Sequence, residues 1–129
     1  MMKIGIKGTK AIKVTDEMTA RAMGSGSLDV YSTPAMISLM ENTAYTSVAE
    51  YLEDGQGTVG TLMNVKHLSA TPVGMEVRCE SELVEIDKRR LVFTVKVYDQ
   101  VGCIGEGIHE RFVINNDKFM EKTNNKVDK

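Results

Sequence analysis

The stretch YSTPAMISLMENTAYTSVAEYL, residues 31–52, decides how this chain of 129 residues is organised. Thr33 directly precedes Pro34, an order typical of a helix start at which threonine is the cap and proline takes the first helical position. Apolar residues then recur around most of the helix until EDGQG at 53–57, whose glycines predict its end. The pattern therefore predicts one long helix, from Thr33 to about Glu53, that is buried on most sides.

Glu41 is the exception within this helix. At helical spacing it shares a stripe with Ile37, Met40, Ala44 and Val48, so its carboxylate is expected on or beside the apolar face. A buried carboxylate is costly unless it is paired, hydrogen-bonded, protonated or open to a wet cleft. Two interpretations follow: Glu41 is an edge residue that extends to solvent, or it belongs to an active site.

Outside the helix the apolar period falls to two residues, which predicts strands. A first strand is expected at residues 9–14, and Thr15 is expected to cap a short helix that ends at the glycines of 24–26. Four further strands are predicted at residues 57–69, 75–86, 91–99 and 103–115, separated by the turns ATPVG, DKRR and QVG. Runs of hairpins with a single long helix indicate an α+β fold.

Together these elements predict a hotdog fold, in which a curved antiparallel sheet wraps around the long central helix. A helix that is apolar on most sides needs cover on most sides, and such a sheet supplies it. Its edge strands would be protected by pairing with a second copy, so we expect a homodimer, or a tetramer of two dimers. Residues 1–129 are interpreted as a single domain whose polar tail frays from about Thr123.

Composition argues against several classes of function. The formal charge is −2 and no basic run stands out, so nucleic acid is not an expected partner. No apolar run approaches the roughly 20 residues of a membrane helix, and the N-terminus lacks the apolar core of a signal peptide. We therefore expect a cytoplasmic protein with no membrane partner. Cys79 and Cys103 lack metal-site spacing, so they are interpreted as reduced thiols and no metal is expected.

His67 and Gly60 stand out on the strand that follows the helix. Alternation predicts one face formed by Val59, Thr61, Met63, Val65 and His67. A histidine on an apolar face is either a satisfied core residue or, because its pKa lies near neutrality, a proton carrier. Gly60 is expected to mark a bulge or a place where a ligand approaches the backbone.

Thr33 and Arg111 have similarly divided interpretations. In one interpretation, the Thr33 hydroxyl only caps the helix. It also lies at a helix start, where negative charge is stabilised, so it could serve a site as well. Arg111 is predicted on one strand face with Cys103, Gly105, Gly107 and His109. The small residues would leave room for an elongated ligand, whereas a surface salt bridge would explain Arg111 without one.

Three segments, in this order and spacing, resemble the fluoroacetyl-CoA thioesterase family of hotdog-fold proteins. They are STPAMISLMENTA at 32–44, GQGTVGTLMNVKHLSATPVGMEV at 55–77 and GIHERFVI at 107–114. The resemblance covers roughly residues 10 to 114. It implies hydrolysis of a small or medium acyl-CoA thioester to free acid and CoA, with coenzyme A as part of the substrate and neither a further cofactor nor a metal.

The resemblance also implies roles for five residues. Thr33, Glu41 and His67 match the family's catalytic group, Gly60 its glycine near the reacting carbonyl, and Arg111 an arginine associated with the CoA side. His67 would be the base, Glu41 would orient it or activate water, Thr33 would be a nucleophile or hold the water, and the Gly60 N–H would bind the oxyanion.

Helix geometry limits how these residues can meet. Thr33 and Glu41 are eight residues apart, which is ~12 Å of helix, so they are not expected to touch. They are expected to flank His67, water or substrate between them. A site assembled across a dimer interface would also satisfy this separation.

The acyl group is left open. The family's named substrate is a small fluorinated acyl chain handled with an aromatic gate, but this chain has three Phe and no Trp. It carries Tyr31, Met36 and Met40 around the helix start, and Met-rich walls favour no single shape, so short-chain and aromatic acyl groups are equally consistent. The alternatives are a non-catalytic acyl-CoA-binding protein and a hotdog enoyl-CoA hydratase, although the close Asp and His pair expected of such hydratases is absent.

Overall fold

A computed structural model describes residues 1–127 and contains one five-stranded antiparallel sheet around one long helix. The strands are β1 (Lys7–Lys13), β2 (Gln56–His67), β3 (Glu76–Asp87), β4 (Arg90–Tyr98) and β5 (Cys103–Asn115). The helices are α1 (Ala20–Met23), α2 (Thr33–Val48) and α3 (Asn116–Asn124), with short 3-10 turns at Asp16–Met18 and Ala49–Tyr51. The strand order β1-β3-β4-β5-β2 leaves β1 and β2 at the edges. The predicted α+β hotdog architecture is confirmed.

The core lies between α2 and the sheet. The helix contacts all five strands, most extensively β3 and β1. Its buried residues are Ala35, Met36, Leu39, Met40, Thr43, Ala44 and Val48. All of these except Thr43 form one hydrophobic cluster with side chains of β3 and β4 such as Val77, Leu83, Phe93 and Val95. Each large side chain buried in this way stabilises the fold by about 1.5–3 kcal/mol, so the position of α2 is firmly set.

The two ends of α2 differ from the prediction. Ser32, not Thr33, is the cap: its hydroxyl accepts a hydrogen bond from the Ala35 N–H at 3.1 Å. Serine and threonine cap helices comparably well, so the sequence offers two starts one residue apart. The α-helix also ends at Val48 instead of about Glu53, because the chain tightens into the 3-10 turn that follows.

A bulge in β2 corrects the predicted face of that strand. The register against β5 shifts between Gly60 and Leu62, which makes Thr61 the extra residue and confirms the predicted bulge at Gly60. An extra residue reverses the alternation. Gly60 therefore faces α2 together with Met63 and Val65, and the predicted grouping of Val59 and Thr61 with those residues is wrong.

Two further differences lie near the chain ends. Thr15 makes no capping hydrogen bond, and the short helix α1 is instead capped by Thr19, whose hydroxyl accepts from the Ala22 N–H. The helix α3 was not predicted; it is capped by Asn115 and has too polar a composition to show an apolar stripe. Fraying from about Thr123 stays a prediction, since α3 continues through Asn124 and residues 128 and 129 lie outside the described residues.

Gly8 is where β1 approaches α2 most tightly. A Cβ built on Gly8 would lie 2.8 Å from Ser47 Cβ and from Ser81 Oγ, and 2.9 Å from the Thr43 backbone oxygen. These separations are shorter than real Cβ contacts. Because one of the atoms belongs to the helix backbone, a side chain at this position would push α2 and β1 apart.

We expect Gly8→Ala to lower the free energy of unfolding by about 1–3 kcal/mol, the usual cost of overpacking. Chemical denaturation measures the change. Gly102→Ala is the matched control, because a Cβ there meets nothing within 4 Å; its effect should stay within about 0.5 kcal/mol. Equal effects of the two substitutions would contradict the close packing of β1 on α2.

Candidate active site

The first cluster of polar side chains forms where α2 begins and β2 ends. Thr33 is the first residue of α2, His67 is the last residue of β2, and Thr33 Oγ1 lies 2.8 Å from His67 Nδ1. The Tyr31 ring packs edge-on against the imidazole, with ring centroids 6.5 Å apart. Because Ser32 supplies the helix cap, the Thr33 hydroxyl is available to His67.

The surroundings of His67 favour its neutral form. Burial lowers the pKa of His67, and the nearby Ser69 backbone opposes only part of that effect. The Nε2 atom is buried and has no hydrogen-bond partner among the described residues. A neutral imidazole at hydrogen-bond distance from a hydroxyl can accept its proton, which is the geometry of a general base.

An open cleft of about 340 Å³ lies beside this pair. Tyr31, Thr33 and His67 line it together with small and apolar residues such as Val30 and Ala70. Met36 and Met40 do not line it: both are fully buried in the core, so the methionine wall expected for the acyl group is not formed by them. The cleft therefore presents the hydroxyl–imidazole pair among apolar residues and the serines Ser25, Ser32 and Ser69.

The second cluster surrounds Gly60. A Cβ built on Gly60 would lie 2.9 Å from Glu41 Oε2, 3.2 Å from His109 Cε1 and 3.3 Å from an Nη of Arg111. Only glycine leaves room for three polar side chains to converge on the backbone in this way. Glu41 reaches this point from the edge of α2, where it is half-buried. It does not simply extend into solvent.

Arg111 is buried in the second cluster, with 7% of its surface exposed. Its Nε donates to Thr58 Oγ1 at 2.8 Å, one Nη donates to the Thr58 carbonyl at 2.9 Å, and the other donates to His109 Nε2 at 3.1 Å. The guanidinium also lies over the Tyr45 ring, 5.6 Å from its centroid. Among residues 1–127, Arg111 forms no salt bridge, so the surface salt bridge considered for it is not found there.

The room expected beside Arg111 is also not present. A Cβ built on Gly105 would lie 2.5 Å from Met36 Sδ, and one on Gly107 would collide with the backbone of β2. The glycines of β5 thus accommodate a core methionine and the neighbouring strand. They do not form a groove for an elongated ligand.

Within one chain the two clusters do not meet. Thr33 and Glu41 are separated by ~12 Å along α2. Gly60 and His67 are separated by roughly 20 Å along β2, allowing for the bulge. The fold brings Thr33 to His67, and it brings Glu41 and Arg111 to Gly60, but it keeps the two groups apart.

His109 and Tyr45 complete the second cluster, and neither was among the predicted site residues. The sequence did contain a signal for each. His109 precedes Arg111 by two residues on one strand, so the two side chains share a face. Tyr45 follows Glu41 by four residues on one helix, which also places them on the same face.

We expect Ser32→Ala and Thr33→Ala to have distinct effects. Ser32→Ala removes the cap and should lower the free energy of unfolding by about 1 kcal/mol. Thr33→Ala removes a donor to the neutral imidazole, so it should raise the pKa of His67 toward the ordinary value of about 6.5. Denaturation and an NMR titration of the imidazole measure the two effects. A lower pKa of His67 in Thr33→Ala would show that His67 donates to Thr33, contrary to the base geometry.

Comparison with known proteins identifies relatives of this chain. A family model for the fluoroacetyl-CoA-specific thioesterase matches residues 14–117. The chain is 37% identical to the fluoroacetyl-CoA thioesterase of Streptantibioticus cattleyicolor, over 98% of this chain and 95% of that protein.

Solved structures agree with this result. A fluoroacetyl-CoA thioesterase structure is similar with a TM-score of 0.92 and 36% identity, over 98% of both chains. A thioesterase superfamily member from Thermus thermophilus is similar with a TM-score of 0.91 and 25% identity, over 99% of this chain and 95% of that one. The chain therefore belongs to the fluoroacetyl-CoA-specific thioesterase family, whose members hydrolyse thioesters.

Proposed function

We propose that this thioesterase cleaves a small acyl-CoA, releasing the free acid and the CoA thiol. The observation that carries this proposal is the Thr33–His67 pair at the wall of an open cleft. Relatives support the substrate class. One fluoroacetyl-CoA thioesterase variant, 36% identical to this chain, has been solved with fluoroacetate and CoA, and another with acetyl-CoA.

The proposed chemistry uses His67 as the base. The neutral imidazole takes a proton from Thr33 Oγ1, or from a water that Thr33 holds, and the activated oxygen attacks the thioester carbonyl. The Gly60 N–H stabilises the oxyanion that forms. The carbon–sulfur bond then breaks, and His67 returns the proton to the CoA sulfur. If Thr33 is the nucleophile, water releases the acid from it in a second step.

A complete site requires two chains in this proposal. The edge strand β2 carries an outward-facing Leu62 with 44% of its surface exposed. Antiparallel pairing of two β2 strands about a two-fold axis at Asn64, with Thr61 bulged out of the register, places Gly60 opposite His67 of the partner subunit. Each site then takes Thr33 and His67 from one chain and Gly60 with its neighbours from the other. The separation of the two clusters supports this homodimer, and the dimer also protects the edge.

The same proposed dimer gives Glu41 a role beside His67. In the dimer it lies across the interface from His67, where a carboxylate orients the imidazole and stabilises its cation. The buried His67 Nε2, which lacks a partner among residues 1–127, supports a site whose hydrogen bonds are not completed within one chain. We propose that Arg111 contributes to the CoA side of the site, although its burial better supports a role beside Glu41.

Further properties belong to the same proposal. We propose a cytoplasmic enzyme that uses coenzyme A only as part of its substrate and needs no metal, and whose dimers are free to pair into tetramers. Among the described residues, none of the helices has the length and apolar character needed to cross a bilayer. The acyl group stays open, because the cleft walls favour no particular chain.

Thiol release from acetyl-, propionyl-, branched, benzoyl- and fluoroacetyl-CoA tests the activity. At about pH 8 His67 is neutral, since burial lowers its pKa below the ordinary value. We expect wild type to release thiol from the smaller esters, and His67→Ala to lose about 100-fold or more of that rate. Lys122→Ala, at an exposed residue of α3 outside the proposed interface, should retain full activity.

Two results would contradict the proposal. One is unchanged activity in His67→Ala, which would exclude the imidazole as the base. The other is a wild type that releases no thiol from any ester but is thermally stabilised by several of them, which would favour a non-catalytic acyl-CoA-binding protein.

A further inference from the structure

His109 is the one of the two histidines that the proposed chemistry does not use. Its side chain is 1% exposed and stacks on Phe93, with ring centroids 6.2 Å apart. Both ring nitrogens have partners: Nδ1 lies 2.8 Å from the Leu62 carbonyl oxygen, and Nε2 lies 3.1 Å from Arg111. A buried imidazole with both nitrogens satisfied is held in one orientation.

The two partners fix the protonation of the ring. A carbonyl only accepts, so Nδ1 carries the hydrogen; a guanidinium only donates, so Nε2 is unprotonated. A second proton would set an N–H of His109 against an N–H of Arg111. Burial and the Arg111 charge lower the pKa of His109, while the Leu62 carbonyl and the carboxylates of Glu41 and Glu110 oppose that shift. His109 is therefore a neutral hydrogen-bond relay at working pH.

The ring connects two parts of the second cluster. Leu62 lies directly after the β2 bulge, so the bond from Nδ1 holds the bulge that presents Gly60. The bond to Nε2 holds one Nη of Arg111 at the space above Gly60, where Glu41 Oε2 also lies. Yet Glu41 and Arg111 form no ion pair within 4.0 Å among the described residues. The Arg111 guanidinium therefore lies near the Glu41 carboxylate without forming an ion pair with it.

We propose that His109 is a positioning residue for thioester hydrolysis: as the neutral Nδ1–H tautomer, it holds Arg111 beside Glu41 and keeps Gly60 in place. This inference rests on the proposed function, because it gives these three residues a common task at one reacting carbonyl. The hydrogen bond that His109 accepts from Arg111 is the part that matters for the rate. The bond to Leu62 serves chiefly the fold of β2.

The tautomer can be tested without an activity assay. Long-range proton–nitrogen NMR spectra of histidine-labelled protein resolve its two imidazoles. We expect His109 to show a protonated Nδ1 and to be neutral at neutral pH, because burial and the Arg111 charge lower its pKa below the ordinary value. A protonated Nε2, or a His109 cation near neutral pH, would overturn the relay.

Two substitutions separate the two hydrogen bonds. The His109→Gln amide oxygen can replace Nε2 as the acceptor for Arg111, whereas the His109→Asn amide nitrogen can replace Nδ1 as the donor to Leu62. We expect His109→Gln to keep kcat within about 3-fold of wild type, and His109→Asn to lose about 10–100-fold in kcat with little change in KM. Val77→Ala, a core substitution on β3, controls for lost stability and should keep kcat.

The outcomes distinguish this inference from the proposed function. If wild type and Val77→Ala are active and the two His109 variants have equal kcat, His109 is merely structural and the positioning role is overturned. If wild type releases no thiol, the proposed function fails and the positioning role fails with it. A rate lost in His109→Asn and retained in His109→Gln supports the role, because loss of stability alone would not separate them.

Discussion

The burial of α2 in the curved sheet is the constraint on which the rest of the structure depends. The helix is packed along most of its length, with Met36, Met40 and Val48 fully buried and its backbone close to Gly8. A helix held in this way cannot slide or rotate to adjust a site. Its polar residues therefore act where the packing places them, Thr33 at one end of β2 and Glu41 near the middle.

This constraint explains why the polar residues form two clusters. The sheet places His67 beside the start of the helix and Gly60 beside the residues farther along it. The first cluster pairs a hydroxyl with an imidazole. The second surrounds a glycine with a carboxylate and a buried guanidinium. Neither contains a base, a carboxylate and an oxyanion donor together. In the proposed dimer, a symmetric pair of chains would supply all three without any change in the fold of either chain.

Periodicity was enough to predict most of the architecture. The strand predicted at 103–115 matches β5, and the helix start was misplaced by a single residue. The site was harder, because its decisive features are not local. The bulge at Thr61 depends on pairing with β5, and it turns Gly60 toward the helix against the apparent alternation.

Other features required knowledge of distant neighbours. Gly105 looked like room for a ligand, but it accommodates Met36, which is distant in sequence. Arg111 looked exposed because arginine usually is, whereas Thr58, Tyr45 and His109 enclose it. Each of these contacts joins residues from different elements, and no pattern within one segment reveals such a pairing.

The most direct test of the two-chain site is thiol release from mixtures of two inactive variants, His67→Ala and Glu41→Ala. After the subunits are exchanged, our account predicts that activity returns to about one quarter of the wild-type rate per chain. This fraction follows because half of the dimers are mixed and each mixed dimer regains one intact site. A mixture that has exchanged its subunits and stays inactive would contradict the account, since it would place His67 and Glu41 of each site on the same chain.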